Sequence, residues 1–74
     1  MHQERNERRR QRCLVALEEE IAGLEAKLRH LEEALQTASI AGDVPQVTAL
    51  GVEIVELQET LEVRYDEWAA IADE

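Results

Sequence analysis

From residue 14 to residue 35 the apolar side chains return at alternating steps of three and four: Leu14, Leu17, Ile21, Leu24, Leu28, Leu31 and Leu35. That spacing is a heptad seam, and a helix with so narrow a stripe buries it against another helix. The residues between are mostly charged, among them Glu18, Glu19, Glu20, Glu25, Lys27, Arg29, Glu32 and Glu33. A second seam runs through Val47, Leu50, Ile54, Leu57, Leu61, Arg64, Trp68 and Ile71, interrupted only by Arg64. Between the seams lie Gly42, Asp43, Pro45 and Gln46. Gly42 suits the left-handed residue that follows a helix, Asp43 suits an N-cap, Pro45 is tolerated in a first turn, and Gln46 stands where a capping-box partner would.

Two helices joined by so short a connection lie antiparallel. The fold class expected is therefore all-α, a two-helix antiparallel coiled-coil hairpin. The helices span about 13–38 and 44–72 in a hairpin domain of residues 13–74, behind a basic arm or linker of residues 1–12. At about 1.5 Å per residue the hairpin is a rod roughly 40 Å long. Closing the seams on each other sets Leu35 near Val47, Leu28 near Ile54, Ile21 near Leu61 and Leu14 near Trp68. Trp68 should then be core, packed on Cys13, Leu14 and Leu17, while Arg64 should turn its charge toward Glu20 or another flank acid. Gly51, inside the second helix, reads either as a tolerated defect or as an allowance for close helix approach. Since the seams complete each other within one chain, a monomer is expected.

Composition narrows how such a chain is stabilised. Its 74 residues include a single cysteine, so no intrachain disulfide forms, and Cys13 with His2 and His30 does not make a zinc cage. Hydrophobic residues make up 45% and charged residues 34% of the chain, too apolar for simple disorder and too charged to span a bilayer. Neither a signal peptide nor a transmembrane segment is legible, and the expected address is cytoplasmic.

Charge divides the chain. Residues 1–12 carry Arg5, Arg8, Arg9, Arg10 and Arg12 against Glu4 and Glu7, a net +3; the remainder carries three bases against fifteen acids, a net −12. An arm and a body of opposite sign face different electrostatic partners. Five arginines in one short segment are candidates for phosphate contact, and with no aromatic ring among them any binding is electrostatic and indifferent to base sequence. Tyr65 and Trp68 offer stacking surface, but Trp68 falls on the seam.

The stretch from Leu17 to Leu28, the loop after it and the second heptad helix ending in Tyr65 and Trp68 resemble the C-terminal coiled-coil domain of ABC-F ATPases, of the Uup-like type. The resemblance covers about residues 13–72. It implies an accessory hairpin, preceded by a positively charged linker, of a soluble protein with two ATP-binding cassettes that works on ribosomes or nucleic acids; in Uup-like members the hairpin is associated with DNA binding. The partners so implied are DNA or ribosomal RNA through the basic arm, and other domains of the parent protein. The −12 body departs from what a DNA-binding surface requires.

No catalytic role is expected of the hairpin itself, because a seam filled by leucines offers no desolvated cleft. Glu18, Glu19, Glu20, Glu32 and Glu33 read as solvated helix face, and His30 with Glu33 has too few companions to hold a metal. No phosphate-cradling glycine loop is present, so no cofactor is expected. Cys13 beside Leu14 reads as a small apolar filler. Two functional readings stay open: a nucleic-acid or ribosome-contacting module with the arm as its contact, and a protein-interaction or dimerisation coiled coil with no nucleic-acid role.

Overall fold

The computed structural model describes residues 2–74, with side chains from Arg5 onward; Met1, the ring of His2 and the carboxylate of Glu4 lie outside the described parts. Two helices make up the molecule, α1 (His2–Ala41) and α2 (Val44–Ala72), packed against each other as an antiparallel hairpin. The rod measures 61 × 15 × 12 Å.

Local chemistry fixes the turn. Gly42 takes φ +73, which an L side chain enters only with strain, and its N–H donates to the Ser39 carbonyl at 3.2 Å while the Asp43 N–H donates to the Ala38 carbonyl at 3.0 Å. These two bonds satisfy carbonyls that the end of α1 leaves without helical partners. Asp43 then caps α2: its Oδ1 accepts from the Gln46 N–H at 3.3 Å, with Pro45 in the first turn where its missing N–H costs nothing. The reciprocal half of the expected capping box is absent, because the Asp43 N–H is already spent on Ala38.

Along the seam, Leu17, Ile21, Ala38, Leu50, Ile54, Leu57 and Leu61 are buried, and Leu14, Leu24, Leu28, Leu31, Leu35, Val47 and Ile71 are half-buried. Ala38 is one step beyond the seam read from sequence. No described side chain is sealed completely, as expected where two helices wall each other on one side only.

Helix α1 is longer than the sequence reading at both ends, and each extension matters. At the turn it runs to Ala41 instead of about residue 38. Counting outward from Gly42 and Asp43 therefore sets Ala38 level with Val47, Leu31 with Ile54, Leu24 with Leu61, Leu17 with Trp68 and Leu14 with Ile71. The expected pairs are each three residues out of step. Cross-helix contacts agree with the shifted register: the Trp68 indole N–H donates to Glu18 at 3.1 Å, and Arg64 Nε lies 3.6 Å from Glu20.

Trp68 is not the core residue expected. It is 37% exposed, with its N–H on a carboxylate at the flank. An indole has one polar edge that must find an acceptor, and a two-helix seam has no third wall to cover the ring's other face. Arg64 does as its stem and charge require: it stays half-buried on the seam, turns its guanidinium to Glu20, and donates to Glu67 at 2.9 Å. Tyr65 adds a third cross-link of this end, its hydroxyl donating to Glu25 at 2.8 Å.

Gly51 meets nothing: a Cβ built there has no atom within 4 Å. The helices do not need glycine at that position in order to approach, so it is the tolerated defect.

Candidate nucleic-acid interface

At its other end α1 begins at His2, not near residue 13, and its 40 residues account for the length of the rod at about 1.5 Å per residue. Helix α2 has only 29 residues and, by the count from the turn, ends level with residue 13. Residues 2–12 thus project beyond α2 as a single helix of about 16 Å. They have no apolar stripe to bury. Arg, Gln and Glu have good intrinsic helix propensity, and the segment extends a helix already nucleated and held in the hairpin, which removes the cost of starting one.

Helicity sorts the five arginines that the sequence grouped together. Arg5, Arg8, Arg9 and Arg12 stand at i, i+3, i+4 and i+7, so they share one face. In the heptad frame of the α1 seam they take the outward positions, pointing away from the side on which α2 lies. All four are exposed, and none lies within ion-pair distance of a described carboxylate. Arg10 goes elsewhere. It occupies the seam position one step before Leu14, its side chain is 25% exposed, and it is paired with Glu7 at 3.0 Å. The structure therefore brings four of the candidate residues together and separates the fifth. The i, i+3, i+4, i+7 spacing was present in the sequence; what was missing was any apolar signal that the arm is a helix.

The acids are placed as distinctly as the bases. On the outward face of α2 stand Glu56, Glu59, Glu62, Asp66 and Asp73, with no base among them. The carboxyl end of α2, where helix carbonyls concentrate negative partial charge, carries Asp73 and Glu74 and no basic residue in its last turn. The arginine stripe therefore begins where the acidic body stops. Tyr65 shows the body's field locally: its hydroxyl is held above the usual phenol range, first by the hydrogen bond it gives Glu25, then by desolvation and by repulsion between that carboxylate and a phenolate.

Other candidate chemistry remains dispersed. No three His, Cys, Asp or Glu side chains gather to hold a metal among the described residues. Cys13 is exposed rather than a filler of the seam. Two shallow grooves flank the seam, one lined by Leu24, Lys27, Leu31, Glu53 and Glu56, the other at the turn by Ala34, Thr37, Ala38 and Gln46. No described helix is long and apolar enough to cross a membrane.

No curated protein and no solved structure matches the chain. A family model described as the ABC transporter C-terminal domain matches residues 5–73, a span that takes in both seams, the turn and the arginine-bearing projection. An antiparallel hairpin with capped turn and continuous basic lead-in is thus accounted for as one unit, and the chain belongs to the ABC transporter C-terminal domain family.

Proposed function

We propose that this chain is the non-catalytic accessory coiled-coil module of a soluble, cytoplasmic ABC-F-type ATPase and contributes nucleic-acid or ribosome association through its arginine-bearing projection. One observation carries the reading: Arg5, Arg8, Arg9 and Arg12 fall on a single outward helix face, unpaired with any described carboxylate, beyond the end of the acidic hairpin. Phosphate is the ligand such a face suits, since guanidinium groups bind phosphate oxygens strongly and the contact needs no base reading. The opposing term is the charge of the body. Its acids lie on α2 and along the seam flanks, and beyond about 8 Å at physiological salt they are screened from the projection.

With four phosphates neutralised, log affinity should fall with log salt at a slope no steeper than about −3.6 on duplex DNA. The test is a titration of the full chain on mixed-sequence DNA and on ribosomal RNA fragments at low salt, beside a variant with Arg5, Arg8, Arg9 and Arg12 all changed to Gln. Loss of binding in the variant is expected. Equal binding by both chains sinks the role of the stripe, and absence of binding by either leaves a protein-interaction hairpin as the reading that survives.

A further inference from the structure

The outward face of α1 does not lose its basic character at Arg12. Arg8 and Arg9 stand at two adjacent outward heptad positions, and the same two positions three heptads later are Arg29 and His30. Helix α1 is continuous between them, so 21 residues at about 1.5 Å set the two pairs roughly 31 Å apart on the face that turns away from α2. Arg29 and His30 are exposed, and Arg29 takes part in no ion pair with a described carboxylate, although Glu25 and Glu33 each stand four residues away. Between the pairs this face is low in profile, with Ala16, Ala22 and Gly23 exposed and Glu19 the acid that interrupts it.

We propose that duplex DNA lies along this back of α1, with the stripe Arg5, Arg8, Arg9 and Arg12 on one phosphate ridge and Arg29 on the next. The inference rests on the nucleic-acid reading above and extends it from the projection to the hairpin. The spacing identifies the occupant: successive turns of B-form DNA present equivalent phosphates about 34 Å apart, within side-chain reach of roughly 31 Å. Single strands are disfavoured because α1 contains no aromatic residue on which a base would stack. Charge placement agrees, since the acids of α2 face the opposite side of a rod 15 Å across at its Cα atoms, farther than the screening length of about 8 Å. Small residues between the contacts let the duplex approach without a protruding side chain.

The experiment compares 10-bp and 24-bp mixed-sequence DNA duplexes, by anisotropy titration over a salt series, on the full chain, Arg29→Gln, Arg29→Lys and the four-arginine variant. A 10-bp duplex reaches only one contact and a 24-bp duplex reaches both. Arg29→Gln should weaken the 24-bp duplex about two- to fivefold and flatten its salt slope by about 0.9, leaving the 10-bp duplex unchanged, while Arg29→Lys retains wild-type binding because a point charge suffices for one phosphate. Glu19→Gln should tighten the 24-bp duplex. An Arg29→Gln chain that binds the 24-bp duplex as wild type does, or that loses both lengths equally, overturns the second contact even when the four-arginine variant has lost binding. Binding unchanged in the four-arginine variant overturns the underlying reading instead. A 24-nucleotide single strand or a duplex RNA with the same dependence on Arg29 overturns the assignment to B-form DNA.

Discussion

One helix serves two regimes. From Leu14 onward α1 is held by burial; before it, the same helix presents Glu7 and Arg10 at the seam positions and buries nothing apolar. Both parts are helical, but only one is paired. The apolar seam therefore decides association, and propensity with continuity is enough to decide helicity. Functional side chains divide along the same line: the paired part spends its polar groups on itself, as in Arg64 with Glu20 and Glu67, Tyr65 with Glu25 and Trp68 with Glu18, whereas the projection leaves four guanidinium groups free of described partners.

The contrast breaks most visibly under mutations that hit one regime and spare the other. Leu61, at 4% exposure the most buried side chain, should lose about 2–4 kcal/mol on change to Ala, much of the stability of a chain this short, and both helices should melt together at a lower temperature in calorimetry. Arg8→Pro, which breaks a helix as severely as any single change, should instead leave the melting midpoint where it is and remove only the ellipticity of the projection. A large fall in midpoint with Arg8→Pro would show that the projection is coupled to the hairpin after all.

A smaller effect of opposite sign sharpens the account of the paired part. Gly51→Ala should stabilise the hairpin by up to about 1 kcal/mol, because the added methyl meets open space and the unfolded chain loses freedom. A lowered midpoint would mean that the helices close on Gly51 more tightly than its surroundings indicate.

The smallest effect is one of pH. Tyr65 has a folded pKa raised above the ordinary 10.0, so its contribution is fully present below pH 10 and is lost as pH rises through the folded value. Stability should decline above about pH 10 in the native chain and decline less in Tyr65→Phe, as read from denaturant midpoints over an alkaline series. Identical pH profiles would remove the Tyr65 to Glu25 bond from the energetics.

Period and punctuation made the hairpin legible. Leucines at heptad spacing force pairing, and Gly42, Asp43 and Pro45 each have a physical reason to stand at a helix boundary. The turn's effect on register was not legible, because three more residues of α1 before Gly42 shift every layer without changing the seam pattern. Nor was the helical projection: no burial marks it, and the propensities that form it are individually weak. The candidate site was accordingly found in composition and missed in geometry. Sequence gathered five arginines, but only a helix separates Arg10, turned to the seam and to Glu7, from the four that share a face.

The two-residue turn also sets the order of folding. Because α2 doubles back directly after Gly42 and Asp43, Ala38 and Val47 meet after closing a very short loop, and each later layer needs only the one before it. Loop closure on that scale takes tens of nanoseconds, and local contacts dominate the topology, which places the molecule among fast folders. Assembly proceeds like a zipper away from the turn and reaches Trp68 near its close. The only tryptophan thus stands where its fluorescence reports the last layers to form and the first to open, beside the base of the arginine-bearing projection.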